Sequence, residues 1–489
     1  MDSKILIAIG VVAVVVIAAA AIFAFSDKNK GNDEEPEFLL LDPNVVPTLE
    51  VYGNVNGDCT IDQKDVTALQ NALKDGTASS IKYADANFDD KVDDSDVEYI
   101  QKIISATPDD KVEVKLLNRY NKGDYYTTAS IPADSIGAST SSNIVMMFKY
   151  AGVNEEIKAA SYGGTIDASL YPEYQWVFVD SKKEFDPTGT DLEYRVGKSA
   201  MYVAKEPFLN HVVKDGVSMF ITADNSSYLT FDTKNNYGMT EKEIMDLGID
   251  VIRVGSAYTD GSEYLSNLAT ICFVMGKDLK TIDSMAAWMN ATIKDLNNKI
   301  VNNVGVNVDQ IRSAVSSANS YSVSSDGKVT TYNYISSKES DYTQAVLAAG
   351  GKFPLDSYNF PNTSSEKFED LGAWLEPYDV EKIVCIKTGS GFSWYGGDVL
   401  TKGLKTVTYC AMAFSKTEAF YDRNVYVISG DMPIILRTIY AAVALYPTIF
   451  TEEWADAINA DYSQKFLGIS AEDIANGKFI VNMDEMGIN

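Results

Sequence analysis

The sequence predicts an α/β protein of two lobes joined by a long helix, preceded by a small all-α module and one N-terminal transmembrane helix. Three observations predict this class. An uncharged apolar run occupies Ile5 to Phe25, two acidic twelve-residue loops recur at an offset of 31 residues, and the rest of the chain alternates short apolar runs with helical patterns.

The apolar run of 21 residues from Ile5 to Phe25 would span about 30 Å as a helix. A cleaved signal usually has a shorter apolar core that ends in small residues, and no cysteine follows here to accept a lipid, so an uncleaved anchor is favoured. Whether the helix is cleaved stays open. Residues 1–25 are therefore assigned to the anchor, and the charged, proline-bearing residues 26–50 to a spacer.

Composition excludes several classes of function. Acidic residues outnumber basic ones by 69 to 41, and the net charge of −28 repels phosphate backbones, so no nucleic acid partner is expected. The chain has a single histidine and lacks G-x-S-x-G, Walker and H-E-x-x-H motifs, which argues against an enzyme. A glycan-active enzyme that uses a pair of carboxylates stays as a minor alternative.

Four cysteines are scattered along the chain without a C-x-x-C pair: Cys59, Cys272, Cys385 and Cys410. Buried free thiols are favoured over a disulfide framework or a zinc site. A bridge between Cys385 and Cys410 stays open.

Two repeated loops within residues 51–108 indicate calcium binding. Calcium takes six to eight oxygen ligands, and an EF-hand-like loop of twelve residues offers them from positions 1, 3, 5, 7, 9 and 12, with a backbone carbonyl at position 7. The first loop places Asn54, Asn56, Asp58, Thr60, Asp62 and Asp65 at these positions, and the second places Asp85, Asn87, Asp89, Lys91, Asp93 and Asp96. The alternative is an acidic surface without a metal, which does not predict the repeated order.

These two loop–helix units resemble the dockerin type I module, which binds calcium and docks onto cohesin domains. Position 6 is usually Gly because the backbone turns sharply there, but it is Cys59 in the first loop and Asp90 in the second, and Asn54 replaces the usual first Asp. The resemblance therefore implies two calcium sites, the first being the weaker. Such loops are useful where calcium is millimolar, which places the bulk of the chain outside the cell.

The resemblance also raises the question of a partner in trans. The usual Ser/Thr recognition pair at positions 10 and 11 is replaced by Gln63 and Lys64 in the first loop and by Asp94 and Ser95 in the second. A cohesin-like partner would therefore differ from the usual one. A calcium-stabilised module that packs on its own neighbour is an equal alternative.

Beyond the module, several short apolar runs that end in Gly, Asp or Asn indicate buried parallel strands followed by loops. They are "WVFVD" from Trp176, "SMFITAD" from Ser218, "IDVIRVG" from Ile249, "KIVCIKTG" from Lys382 and "NVYVISGD" from Asn424. Apolar residues spaced by three and four from Leu265 to Ile300 predict a sustained helix that Gly276 breaks into a short and a long part. We assign residues 112–262 to a first lobe, 263–303 to a connecting helix and 304–489 to a second lobe.

About three quarters of the chain resembles the solute-binding proteins of ABC importers, in the class with one long connecting helix that includes receptors for ferric siderophores and cobalamin. The resemblance rests on "IPADSIGASTSSNIVMMFKYAGVNEEIKAAS", "EIMDLGIDVIRVG" and "PIILRTIYAAVALYPTIFTEEWADAINADYSQKFLGIS". It implies a periplasmic-binding-protein-like fold, a chelated metal or corrinoid ligand, an ABC permease as partner and no enzymatic activity.

In open α/β sheets, ligands bind beyond the carboxyl ends of the strands. Candidate ligand-binding residues on the first lobe are therefore Ser139, Thr140, Ser141, Tyr162, Asn225 and Tyr228, and on the second lobe Ser390, Trp394 and Tyr395. Arg195 is added as a cation for an anionic ligand, although a surface salt bridge is its commoner role. For Ser139 to Ser141 the alternative is ordinary helix capping.

The sequence thus predicts a single-pass protein of the cell membrane whose extracellular part captures a chelated metal or corrinoid for an ABC importer. The alternative is a cell-surface adhesion or scaffold protein that uses the calcium module. The sequence leaves the identity of the ligand and the oligomeric state undetermined.

Overall fold

The computed structural model describes residues 38–120, 123–139, 142–153, 155–161, 195–197, 205–224, 229–232, 239–255, 261–305, 308–316, 320–323, 329–360, 365–368, 371–387, 408, 410–430 and 432–488. Within these ranges no helix is both long and apolar enough to cross a membrane. The predicted transmembrane segment and the predicted strand "WVFVD" lie outside the described residues.

The calcium module consists of two loops, each followed by a helix, α1 (Gln63–Asp75) and α2 (Asp94–Ser105). Each helix begins with a capping box in which two aspartates of its own loop, positions 9 and 12, accept backbone N–H groups at the helix start. The buried residues of the helices recur at spacings of three: Val66, Leu69 and Ala72 on α1, and Val97, Ile100 and Ile103 on α2. These two apolar faces form the small core of the module.

A β-hairpin follows the module and carries it. Strands β1 (Val112–Asn118) and β2 (Tyr125–Ile131) pair antiparallel, and alternate residues such as Val114 and Leu116 are buried. The backbone at the start of the module joins the edge of β1, since Tyr52 donates to the carbonyl of Lys115 at 2.9 Å and Leu117 donates to the carbonyl of Glu50 at 3.0 Å. The module is therefore attached to its own neighbour in the chain.

The first lobe is built on a parallel sheet of five strands: β3 (Ile136–Ser139), β4 (Ile157–Ser161), β5 (Arg195–Gly197), β6 (Met219–Ala223) and β7 (Asp250–Val254). Their order in the sheet is β5-β4-β3-β6-β7. The helices described in this lobe are α3 (Ser142–Ala151), α4 (Lys205–Asp215) and α5 (Glu241–Met245). Strands β6 and β7 are the runs "SMFITAD" and "IDVIRVG", and both are almost fully buried, as expected for a covered parallel sheet.

A buried ion pair fastens the hairpin to this sheet. Arg253 of β7 donates from Nε to Oε2 of Glu241 at 2.7 Å, and neither side chain is exposed. The other guanidinium nitrogens donate to the carbonyls of Ala223 and Leu229. Glu241 also accepts the hydroxyl of Tyr125 from β2. The charges are thus hydrogen-bonded on all sides, which buried charges require.

The connecting segment is two helices, α6 (Gly261–Val274) and α7 (Lys280–Lys299), the second ending in a π turn at Ile300–Val304. Gly276 lies between them with φ of +60°, as the sequence predicts for a break at this position. A Cβ at Gly276 would lie 2.9 Å from Cβ of Pro132. Both the left-handed backbone and this close approach require glycine.

The second lobe contains a sheet of β8 (Ser313–Ser316), β12 (Lys382–Lys387), β13 (Val425–Ser429) and β14 (Ile480–Asn482), in the order β14-β13-β12-β8. Strands β8, β12 and β13 are parallel, and β14 is antiparallel. A separate antiparallel sheet holds β9 (Ser320–Val323), β10 (Val329–Ser336) and β11 (Ser365–Phe368). The helices are α8 (Asp341–Ala348), α9 (Leu371–Leu375), α10 (Glu418–Tyr421), α11 (Ile434–Leu445), α12 (Glu452–Tyr462) and α13 (Ala471–Ala475). None of the four cysteines forms a disulfide, so Cys385 and Cys410 are not bridged.

The prediction of a spacer is wrong for residues 38–50, because this segment packs on the protein. Residues 38–49, which we call the strap, run along α6 and α7 and bury Leu41, Val45 and Leu49. A charged, proline-bearing composition predicts a free linker, but the apolar residues at every fourth position make this segment part of the core instead.

A lysine buried in the second lobe makes stability depend on pH. Lys382 donates from Nζ to the carbonyl of Ala444 at 2.9 Å and lies 5.0 Å from the ring centroid of Tyr426. Burial lowers the pKa of Lys382 to about 8 from its ordinary 10.5. Between these two values the unfolded chain binds more protons than the folded chain, so the free energy of unfolding rises with pH in that window.

We expect Lys382→Met to stabilise the protein at pH 7, where the buried ammonium costs up to about 3 kcal/mol, offset in part by the lost hydrogen bond to Ala444. The gain over wild type should shrink as the pH is raised from 7 to 10. Chemical denaturation at both pH values measures it, with Lys74→Met on the exposed side of α1 as control. A gain that stays constant with pH would contradict the assignment of the charge.

Candidate functional site

The predicted cleft residues follow the carboxyl ends of parallel strands. Strands β3, β4 and β6 of the first lobe end at Ser139, Ser161 and Ala223, and strands β12 and β13 of the second lobe end at Lys387 and Ser429. Of the predicted ligand-binding residues, only the backbones of Ser139 and Arg195 are described. The others lie outside the described residues: Thr140, Ser141, Tyr162, Asn225, Tyr228, Ser390, Trp394 and Tyr395.

The strand order defines where a crevice opens on the first lobe. Strands β3 and β6 are neighbours, and from β3 the chain continues to β4 and β5 on one side, whereas from β6 it continues to β7 on the other. Such a reversal of strand order is a topological switch point, where ligands of open α/β sheets bind. Ser139 ends β3 at this point. Arg195 begins β5 opposite Ala160, which places it two strands away.

Sequence reasoning missed a buried cation at the corresponding edge of the second lobe. Arg437 lies in the first turn of α11, four residues after Pro433, and only 5% of it is exposed. Its Nη1 donates to Oδ2 of Asp341 at 2.8 Å, and its guanidinium carbon lies 5.2 Å from the ring centroid of Tyr342. Nε of Arg437 has no hydrogen-bond partner among the described residues. The signal in the sequence was a single charge within the apolar run "PIILRTIYAAVAL".

A small apolar pocket of about 20 Å³ lies between the connecting helices and the start of α11. Tyr264 of α6 and Met289 and Ile293 of α7 form one wall, and Pro433 to Ile435 form the opposite wall. Two strap residues, Leu41 and Asp42, complete the lining. The pocket is thus enclosed by the connecting helices, the start of α11 and the strap.

An aromatic cluster joins the two lobes. The hydroxyls of Tyr150 on α3 and Tyr462 on α12 are hydrogen-bonded, and both residues are buried. The ring centroid of Trp288 on α7 lies 5.0 Å from that of Tyr462 in a tilted arrangement, and its Nε1 donates to Oδ2 of Asp461 at 2.7 Å. Helix α12 continues into a π turn directly after Tyr462. One connecting helix and both lobes therefore meet at one tyrosine.

The second loop is held by hydrogen bonds from its own backbone to its acidic side chains. Asp85 at position 1 accepts the backbone N–H groups of Asp89 and Asp90, and Asp89 at position 5 accepts that of Lys91. Asp96 at position 12 is fully buried and accepts the N–H groups of Asn87 and Asp93. Burial raises the pKa of the Asp85 carboxyl, and the neighbouring carboxylates of Asp96 and Asp89 raise it further. A divalent cation would relieve this crowding of negative charge.

The first loop repeats the pattern with less negative charge. Asp65 at position 12 is fully buried and accepts the N–H groups of Val55, Asn56 and Asp62. Asn54 at position 1 uses its Nδ2 as a donor to two carbonyls. Lys64 lies 3.4 Å from Asp62 and 3.9 Å from Asp58, measured from its Nζ to a carboxylate oxygen. An ammonium thus lies beside two of the predicted ligands.

The backbones of the loops differ at position 6. Asp90 in the second loop has φ of +65°, whereas Cys59 in the first loop does not adopt positive φ. Position 4 is left-handed in both loops, at Gly57 and Phe88. The sharp turn that favours glycine therefore falls on position 6 in the second loop only.

The oxygen donors fit calcium in chemistry and in order along both loops. Among the described residues, no group of three or more His, Cys, Asp or Glu side chains is arranged to hold a metal ion. Two of the six predicted donors in the first loop are asparagine side chains, and one further donor in each loop is a backbone carbonyl. The predicted sites therefore depend on oxygens other than those of carboxylates. The four residues at positions 10 and 11 of the loops, Gln63, Lys64, Asp94 and Ser95, are exposed.

Residues 52–105 match the dockerin type I domain family. This segment is a dockerin type I domain, a class of domain that binds calcium. No curated protein matches the chain in sequence.

Several solved structures resemble the larger part of the chain. The TroA-like periplasmic binding protein FepB from Veillonella parvula is 13% identical, covers 75% of this chain and 99% of its own length, with a TM-score of 0.48. CeuE from Helicobacter pylori with Ni(II) bound is 11% identical, with 74% and 98% covered and a TM-score of 0.44. The periplasmic heme-binding protein RhuT from Roseiflexus sp. RS-1 is 11% identical, with 66% and 99% covered and a TM-score of 0.40.

The difference at position 6 leads to a test with a matched control. Asp90→Gly should stabilise the dockerin domain by about 1 kcal/mol, because it removes the cost of a left-handed backbone at a residue with a Cβ. Cys59→Gly should destabilise it by roughly 0.5–1 kcal/mol, because glycine only adds chain entropy there. The midpoint of denaturant unfolding in excess calcium measures both. Shifts of the same sign in the two variants would contradict the assigned backbones.

Proposed function

We propose that this chain is a membrane-anchored extracellular solute-binding protein that captures a chelated metal or corrinoid between its lobes and delivers it to an ABC importer. The observation that carries the proposal is the arrangement of two sheets whose parallel strands end in the predicted polar and aromatic loops, with a topological switch point at β3 and β6. Two such lobes joined by α6 and α7 form a natural binding crevice.

The chemistry around the crevice favours a ligand with both apolar faces and negative charge. The predicted loops at the strand ends carry aromatic residues, Trp394 and Tyr395 among them. Arg437 offers a buried guanidinium group with an unused Nε, at the helix end that follows β13. Arg195 supplies a second candidate cation. A metal chelate or a corrinoid combines these features, whereas a bare divalent cation would need several ligating side chains.

We also propose that the dockerin domain holds two calcium ions, one in each loop, and that the first loop binds more weakly. The second loop contains six acidic residues and one lysine, whereas the first contains three and one lysine. Affinity in such loops increases with the charge of the ligands. Asn54 and the nearby Lys64 both weaken the first loop.

A second candidate function is a surface scaffold that engages a cohesin-like partner. The observation in its favour is that the residues at positions 10 and 11 of both loops stay exposed although the domain packs on the hairpin. Location at the cell membrane, through residues 1–25, is part of the proposal for either function. An ABC permease is the partner that the first function requires.

The test is thermal unfolding of residues 38–489, which form one compact unit, in millimolar calcium against ferric chelates, haem, corrinoids and oligosaccharides. A ligand at a hundred times its dissociation constant should add about 2.7 kcal/mol to the free energy of unfolding. We expect one chelate or corrinoid to raise the midpoint. Arg437→Met serves as the site variant and should lose the shift.

The other outcomes separate the alternatives. Stabilisation by an oligosaccharide would favour a glycan-binding role over the proposed one. A panel without any shift, combined with capture of a purified cohesin domain, would favour the scaffold.

The calcium proposal is tested by calorimetric titration of the same fragment. Wild type should show two events that differ in affinity by about tenfold. Asp85→Ala should remove the tighter event and Asp58→Ala the weaker one. A single event that survives both substitutions would place calcium elsewhere in the chain.

A further inference from the structure

The strap is hydrogen-bonded to both connecting helices along its length. The N–H groups of Val46 and Thr48 donate to the hydroxyls of Ser262 and Ser266 on α6, at 3.0 and 2.9 Å. The N–H of Val45 donates to Oδ1 of Asn290 on α7 at 2.6 Å. A strap held in this way moves only if these bonds to α6 and α7 break.

Close packing reinforces these bonds. A Cβ at Gly261, where α6 begins, would lie 2.9 Å from a methyl group of Val45. At the other end of the strap, a Cβ at Gly305 would lie 2.7 Å from the ring of Phe38. The carbonyl of Leu41 accepts Nδ2 of Asn297 on α7 at 2.8 Å. Both ends of the connecting segment are thus in contact with one extended piece of chain.

The C-terminal end of the strap is part of the first calcium loop's own hydrogen-bond network. The N–H of Leu49 donates to the carbonyl of Asp58 at 2.9 Å. Nδ2 of Asn54 donates to the carbonyls of Leu49 and Asp58, at 2.6 and 2.7 Å. Asn54 and Asp58 are positions 1 and 5 of that loop. The strap therefore ends on two residues that are predicted to bind the cation.

The second loop lacks this connection. Among the described residues, no hydrogen bond joins residues 85–96 to the strap. Its acidic side chains accept N–H groups of their own loop instead. The two loops share a sequence pattern, but among the described residues only the first is hydrogen-bonded to the strap.

We propose that the strap couples calcium in the first loop to the packing of the connecting helices and of the small pocket beside α11. Calcium would order Asn54 and Asp58, which in turn holds Leu49 and the strap against α6 and α7. Leu41 and Asp42 of the strap line the pocket together with the start of α11. Without the cation the strap opens and one wall of the pocket is released. The presence of calcium in the first loop rests on the function proposed above.

Coupling of this kind is reciprocal: whatever loosens the strap must weaken calcium in the first loop by the same factor. A substitution on α7, outside the loop, should therefore change calcium affinity. Asn290 is suited to this test, because it holds Val45, four residues before Leu49 on the strap.

The first experiment is hydrogen exchange of residues 38–489 followed by mass spectrometry, in excess calcium and in chelator. We expect calcium to slow exchange in the strap peptide that contains Val45, Val46, Thr48 and Leu49. Asp58→Ala should abolish this protection, and Asp85→Ala, the matched substitution in the second loop, should retain it. Equal loss in both variants, or calorimetric binding of calcium without any change in strap exchange, would overturn the proposal.

The second experiment titrates calcium into variants of Asn290. Asn290→Ala should weaken the first-loop event by about fivefold and leave the second-loop event unchanged. Asn290→Asp keeps an acceptor oxygen for the N–H of Val45 and should restore the affinity. An unchanged first-loop affinity in Asn290→Ala would overturn the coupling. Neither experiment uses a solute. A ligand panel without a shift would contradict the proposed solute capture, whereas an uncoupled strap would contradict only the coupling proposed here.

Discussion

The buried ion pair between Arg253 and Glu241 is the interaction on which the attachment of the N-terminal part depends. Removing two charges from water is costly, and the cost is offset only when the charges are paired and every remaining donor is satisfied. Here the guanidinium group reaches a carboxylate on α5 and carbonyls at Ala223 and Leu229. Because Tyr125 donates to the same carboxylate, β2 must lie against the first-lobe sheet.

From this anchor the attachments follow in sequence. Asn118 of β1 bonds the backbone of β7 on both sides, through Val251 and the N–H of Arg253. The hairpin then carries the dockerin domain along the edge of β1, and the domain's first loop holds the strap. The dockerin domain is therefore built into the architecture in cis. Its residues at positions 10 and 11 stay exposed in this packing.

The connecting segment is where these attachments bear on function. Two helices broken at Gly276, together with the contact of Tyr150, Tyr462 and Trp288, join the lobes more firmly than a flexible linker would. Packed helices in such a connection slide by small amounts rather than swing freely. The strap lies along these helices and lines the pocket beside them.

The sequence by itself determined the features that depend on local order. Apolar runs ending in Gly or Asp placed β6, β7, β12 and β13, a single glycine located the break in the connecting segment, and the repeated oxygen donors identified the dockerin domain, because each of these signals lies within a few residues. Only the tertiary structure decided the path of the strap, the pairing of Arg253 with Glu241 and the burial of Arg437. Each of these depends on partners that are distant along the chain, such as Val45 with Asn290 and Arg437 with Asp341. Composition alone predicts a linker, a surface charge and a helix for such residues, because it contains no information about distant partners.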